Sequence, residues 1–240
     1  MTPDPRTRAR LLKAAEQLFA ERGFRKVTVR EICHAAKANV AAVNYHFGDK
    51  LGLYREVLQS AIDGMRATNE VARAEGKGHP PEEQLRRYIG VFLARVLSPD
   101  REAVHRLITR EMNDPTEALD ALVEQGMRPR IEYLSGLVAE IMKCDRQDPR
   151  VLRCVGSIHS QAVSYLPNPI AARLGFVVKP TPEFIEKAAD HTATFSIAGV
   201  RAIGRKKAFG PSWGFLGGAK QERRGPLRPG TKRRPNSLGP

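Results

Sequence analysis

Residues 28–47 constrain this chain more than any other stretch. Thr28 stands where a helix N-cap belongs, and Glu31, three residues on, completes a capping box. Val29, Ile32 and Ala36 then recur at helical spacing. Lys37-Ala38-Asn39 breaks that pattern, and Asn39 can cap a second helix through Ala42, Val43 and Tyr45. Two short helices joined by so tight a turn form a helix-turn-helix. The second helix of such a unit is shaped to lie in a DNA major groove.

The flanks agree. Leu11, Ala14, Ala15, Leu18 and Phe19 line one face of a preceding helix, which Gly23 ends. Phe47-Gly48-Asp49-Lys50 then turns the chain into an exit helix carrying Leu51, Leu53, Tyr54, Val57 and Leu58. Base reading needs donors and acceptors at base edges, whereas affinity comes from phosphates. The recognition helix spans Asn39, Val40, Ala41, Ala42, Val43, Asn44 and Tyr45. Ala41 and Ala42 are small enough for close approach and can meet thymine methyls, and Asn44 can pair with an adenine edge. Arg30 can reach a guanine or a phosphate, and Thr28 opens a helix whose free amides suit a phosphate. Val43 and Phe47 read as core.

These residues resemble the DNA-binding domain of the TetR (tetracycline repressor) family over positions 7–58. The resemblance rests on Leu18 to Phe24, Thr28 to Ile32, Asn44-Tyr45-His46-Phe47 and Lys50. It implies that Tyr45, His46 and Lys50 meet backbone phosphates; read from the residues alone, His46 fits a packed turn as well. The chain departs from the family pattern at Lys37, where a turn glycine is usual, at Ala38, where a small β-branched residue is common, and at Cys33, where alanine is usual. A positive φ at Lys37 would carry strain that glycine avoids.

Ala, Leu, Arg and Glu dominate the 240 residues, aromatic residues are 6%, and strand-like alternation is scarce, which points to an all-α fold. No run of about 18 apolar residues suggests a membrane span, and no apolar leader opens the chain, so a cytoplasmic protein without membrane contact is expected. Cys33, Cys144 and Cys154 lie far apart and without CxxC spacing, so they read as buried or idle thiols; no metal or cofactor is expected. The net charge of +14 is uneven: residues 205–240 hold ten Lys/Arg against one Glu. Twelve of those 36 residues are Gly or Pro, so this basic tail is expected to be disordered. Trp213, Phe215 and Leu216 form one small apolar spot in it. Gly210-Pro211-Ser212-Trp213-Gly214 matches a GxSxG hydrolase elbow, but its Pro/Gly-rich flanks are not the strand and helix that elbow needs. No phosphate-binding or HExxH motif occurs either, so an enzyme is not expected.

Downstream, the exit helix is expected to run to about residue 72, weakly interrupted at Gly64, before a linker over 74–81. Apolar periodicity then marks helices over 82–203, with Pro129 kinking or restarting one of them. Arg110 to Pro115, Arg128-Pro129, Ser157 to Gln161 and His191 to Ser196 resemble the C-terminal domain of a CecR-like TetR subgroup, whose members are antibiotic-sensitivity regulators. The resemblance implies a domain that dimerises and often encloses a small-molecule cavity. Phe92, Leu107, Met112, Tyr133, His159 and Tyr165 are candidates to line it, though such spacing equally describes ordinary core. Phe184, Ala188, Thr192, Phe195 and Gly199 form a small-residue stripe suited to a dimer seam.

Together these readings predict an all-α protein with a helix-turn-helix DNA-binding domain over 5–65, a dimerisation and effector domain over 82–203, and the tail. The expected function is a homodimeric repressor, released from a palindromic double-stranded DNA operator by a small apolar or amphipathic effector. An activator or co-repressor-dependent regulator on the same fold, and a nonspecific architectural DNA binder led by the tail, are the alternatives.

Overall fold

The chain is described here by a computed structural model covering residues 5–98, 101–166, 168–176 and 178–206. Among the described residues every regular element is helical, and no helix is long and apolar enough to cross a membrane. The tail beyond Lys206, with its GxSxG match and its Trp213 spot, lies outside the described residues.

Helices α1 (Pro5–Arg22), α2 (Val29–Ala36) and α3 (Val40–Phe47) gather on the first half of α4 (Lys50–Gly76). Leu11, Ala15, Phe19, Ile32, Val43 and Leu53 are fully buried there. Tyr54 anchors this core, edge-on to Phe19 at 5.0 Å and tilted against Phe24 at 4.9 Å. Aromatic pairs of this kind add about 0.5–1.5 kcal/mol beyond their buried area. As the periodicity predicts, Val43 is core, while Phe47 packs half-buried against its edge.

Helix α4 differs from its expected form. It runs unbroken through Gly64 and position 65 to Gly76, so only Lys77 to Pro80 connect it to α5 (Pro81–Val96). Its late turns are held by packing: Ala72 is fully buried, and Gly76 lies under Gln84 and the Tyr133 hydroxyl. The low helix propensity of glycine is a local cost of about 1 kcal/mol, which tertiary burial outweighs.

The remaining elements are α6 (Glu102–Asn113), α7 (Leu119–Ala121), a π-helical stretch (Leu122–Met127), α8 (Arg128–Met142), α9 (Pro149–Val163), α10 (Pro169–Arg173) and α11 (Pro182–Gly204). At Pro129 a helix restarts: α8 begins at Arg128. The wider π turn before it leads straight into α8, and the proline sits within α8's first two positions, where its missing N–H is not needed. Leu85, Ile89, Leu93, Val138, Val155 and Ala193 centre a second core formed by α5, α8, α9 and α11. Arg150 closes one end of it. Its guanidinium pairs with Asp148 at 2.6 Å and donates to the Ile203 carbonyl near the end of α11. The three cysteines are free, with Cys33 and Cys154 buried and Cys144 half-buried.

One expectation drawn from periodicity is corrected. Leu107 belongs to the N-terminal core although it lies within 82–203, because α6 docks on α1. The α11 stripe keeps to one side of its helix, but burial varies along it. Ala188 and Thr192 are buried within the chain, Phe184 packs half-buried on Tyr165, and Phe195 is 63% exposed. Gly199 has open space beyond its Cα. A spacing of four and three residues marks a helical stripe, but which side is inward depends on what packs against it.

Candidate nucleic-acid interface and ligand cavity

The helix-turn-helix is built by local chemistry. Thr28 caps α2: its hydroxyl accepts from the Glu31 amide, and the Glu31 carboxylate accepts from the Thr28 amide at 2.8 Å. Glu31 also takes the Thr28 hydroxyl proton at 2.7 Å and pairs with Arg22 at 2.7 Å. The Thr28 hydroxyl, then the Thr28 amide, then Arg22 hold the Glu31 carboxyl down at about 2, from 4.5. A depressed carboxylate stabilises the fold above its unfolded pKa. The box is therefore intact at neutral pH and its contribution fades only as pH falls from 4.5 toward 2.

The turn is paid for in backbone strain at Lys37, which adopts φ 50°, ψ 51° in the left-handed region. This brings the Ala38 amide onto the Cys33 carbonyl at 2.9 Å and closes α2. Left-handed backbone costs a residue with a Cβ about 1–2 kcal/mol. Lys37→Gly is accordingly expected to raise stability by about 1 kcal/mol in urea denaturation; no gain would mean that Lys37's side chain offsets its own strain.

Asn39 then caps α3, its Oδ1 accepting from the Ala42 amide at 2.8 Å. With Val43 inward, Val40, Ala41, Asn44 and Tyr45 face outward together, Val40 being 42% and Tyr45 67% exposed. Thr28 and Arg30 are exposed beside them on the start of α2; Ala42 and His46 are half-buried. The His46 ring stacks edge-on with Tyr45 at 5.2 Å. Lys50 is placed differently from the expectation. Its ammonium donates to the Phe24 and Val27 carbonyls, at 3.1 Å each, and lies 4.3 Å from the Phe24 ring. It therefore clasps the α1–α2 loop to α4, leaving one N–H for any phosphate.

A cavity of about 570 Å³ lies among α4, α5, α6, α8 and α9. Of the six predicted lining residues, Phe92, Met112 and His159 reach it. Leu107 is in the other core, Tyr133 donates to Gln84 at 3.3 Å, and Tyr165 packs on Phe184. Burial, then Arg130, then His105 push the His159 imidazole down to about 4, so it is neutral at pH 7.

Helix α6 joins cavity to interface, which sequence reasoning did not assign. Val104, Ile108 and Met112 face the cavity. On the opposite face Arg110 reaches the end of α1, donating to the Ala20 carbonyl at 3.0 Å and to that of Glu21. Glu111, fully buried, accepts from the Tyr54 hydroxyl at 2.6 Å, and from the Thr116 amide at 2.7 Å and hydroxyl at 2.9 Å. Arg110-Glu111 carried the resemblance to the CecR-like subgroup, and that was the signal available.

A three-helix unit that presents an exposed recognition helix, coupled to a helical domain with a cavity, is the architecture of a helix-turn-helix transcriptional regulator. Residues 11–57 match the profile of bacterial regulatory proteins of the tetR family. Residues 81–200 match that of the C-terminal domain of the HTH-type transcriptional dual regulator CecR. The chain belongs to the TetR family of DNA-binding transcriptional regulators, with a C-terminal domain of the CecR type. It is 29% identical over 174 residues to the dual regulator CecR of Shigella flexneri, covering 69% of this chain and 74% of that one. It is 25% identical over 142 residues to the probable regulator YttP of Bacillus subtilis, covering 54% and 68%. A TetR-family regulator from Streptomyces coelicolor shares the fold, with TM-score 0.59 and 21% identity over 82% of this chain and 96% of that one. So does a TetR-like regulator from Rhodococcus, with TM-score 0.59 and 19% identity over 83% and 98%.

Proposed function

We propose that the protein is a homodimeric repressor that leaves a palindromic operator when a small molecule fills the cavity. The observation that carries this reading is α6, which walls the cavity with one face and holds α1 and α4 with the other. A ligand that shifts α6 moves Arg110 and Glu111, and with them the recognition helix. Coupling of this kind is reciprocal: DNA weakens effector binding by the factor by which effector weakens DNA binding. The printed name of the Shigella relative, a dual regulator, keeps activation on the same fold as the second reading.

Exposed Asn44, at the centre of the outward face of α3, is the proposed base reader, with Val40, Ala41 and Arg30 around it. Asn44→Ala is expected to weaken operator binding by about 1–3 kcal/mol and to leave random DNA nearly unchanged, in a fluorescence titration with both duplexes. Equal losses on both would make Asn44 a phosphate contact and remove it from base reading. A nonspecific architectural binder would show no operator preference at all.

The dimer seam is proposed on the outer faces of α9 and α11. Leu152 and Phe195 are exposed there, and Gly156 and Gly199 have nothing within 4 Å of a built Cβ. A Cβ at Gly199 therefore meets no obstacle within the protomer, and Gly199→Trp places its bulk toward the proposed seam. It is expected to leave the melting temperature of the protomer intact and to loosen the dimer by about 1–3 kcal/mol, read by light scattering across a dilution series. A dimer of unchanged strength would place the seam elsewhere.

A further inference from the structure

The geometry points to an anion site inside the apolar cavity: it takes a small amphiphile with one negative group, held by the Arg130 guanidinium. This rests on the reading of the cavity as the effector site and names the class of effector. The walls are mainly hydrocarbon, with Phe92, Val96, Val104, Ile108 and Val163 among them. Yet the lining also contains the guanidinium of Arg130, and among the described residues it includes no aspartate or glutamate. A volume of about 570 Å³ is within the ordinary range for a drug-sized ligand.

Arg130 is the focus. It is half-buried on the first turn of α8, and its guanidinium lies over the Phe92 ring, 5.1 Å from the centroid. Among the described residues no carboxylate pairs with it, whereas its neighbour Arg128 is paired with Glu124. Cation–π contact compensates a buried guanidinium only in part and leaves its in-plane N–H fork available. Arg130 also lies close enough to His105 and His159 to help lower both imidazoles, after burial. The His105 Nε2–H donates to the Val96 carbonyl at 3.2 Å, which leaves Nδ1 as an acceptor. The second observation is Asn69, on the α4 wall. It is only 9% exposed, and its amide oxygen has no hydrogen-bond partner. An orphaned amide oxygen on the wall of a cavity calls for a hydrogen-bond donor on the bound molecule, separate from its anionic group. Arg130 therefore takes the anionic group, the Asn69 oxygen accepts from an N–H or O–H beside it, and the hydrocarbon walls take the remainder of the molecule.

The test uses a matched pair of fluorescent probes on the full chain: 1-anilinonaphthalene-8-sulfonate, and N-phenyl-1-naphthylamine, which lacks the sulfonate. The parent is expected to bind the sulfonate at least about tenfold tighter, the order expected for a hydrogen-bonded charge contact. Arg130→Met should bring the two affinities within about twofold, and Arg130→Lys should retain most of the preference. Val163→Trp, which fills the cavity, should weaken both probes and so locates the signal there and not on the basic tail. Melting curves of each variant confirm that it is folded. A preference that survives Arg130→Met, no preference in the parent, or sulfonate binding untouched by Val163→Trp would each overturn the proposal. Operator titrations with each probe separate it from the induction reading. Selective sulfonate binding without DNA release keeps the anion site and sinks induction; release by the neutral probe alone keeps induction and sinks the anion site.

Discussion

Gly52→Ala is expected to abolish selective operator binding while the C-terminal core stays folded. A Cβ at position 52 would stand 1.9 Å from the Phe47 carbonyl oxygen and 3.1 Å from its carbon. Both are backbone atoms at the end of α3, so no rotamer change relieves the clash. The start of α4 is itself pinned, with Asp49 Oδ1 accepting from the Gly52 amide at 2.7 Å. Relief therefore requires α3 to move relative to α4 by about an ångström or more, which carries Asn44 and Tyr45 out of register with the base edges. Specific complexes are typically tighter than nonspecific ones by 10³ or more. Losing register should cost at least about tenfold in operator affinity and draw it toward the random-DNA value. Titration of both duplexes, beside a melting curve, reads this directly. Unchanged selectivity would show that the α3–α4 junction yields without turning the recognition helix.

Replacing Glu111 with alanine is expected to be the most destabilising single change on α6. Its carboxylate serves three donors in a fully buried position. Hydrogen bonds to a charged group are worth about 1.5–3 kcal/mol each, and they are not additive within one network. A net loss of about 3 kcal/mol would lower the melting temperature of a chain this size by about 6–12 °C. Tyr54→Phe removes one donor and should cost less, about 1–2 kcal/mol, because the carboxylate keeps Thr116. The double variant measures the link between α6 and α4, and a coupling energy near zero would mean that the contact does not tie the two helices together. Burial, and then the bond to Glu111, push the Tyr54 hydroxyl above the ordinary phenol range.

The DNA-facing half was largely legible in the residues because its determinants are local. A capping box, an N-cap asparagine and apolar spacing each operate within about one helical turn, and the structure keeps all three. Lys50 was not legible in the same way. A lysine after a turn reads equally as a phosphate contact or as a clasp, and its two acceptors lie 26 and 23 residues upstream. The C-terminal half was legible only as helices. Helix α6 has two apolar faces, one toward the cavity and one toward the N-terminal core. Periodicity identifies Leu107 and Met112 as apolar but cannot assign them to different sides. Along the α11 stripe, likewise, periodicity could not show that Ala188 and Thr192 are covered by neighbours distant in sequence while Phe195 is exposed.

What this sequence determined by itself was therefore the class of fold, the helix-turn-helix with its caps and exposed Asn44, and the membership that the match of both halves confirms. Those features depend on residues three to eight apart, where backbone geometry dictates which atoms meet. Tertiary structure alone decided which face of each helix became core, where a 570 Å³ space was left, and that Arg130 and an unsatisfied Asn69 face it. It also decided that Tyr54 and Glu111, 57 residues apart, would meet in a hydrogen bond between α4 and α6. Contacts at that separation depend on the packing of whole helices, and hydrophobic burial, being non-directional, leaves no local pattern from which to read them.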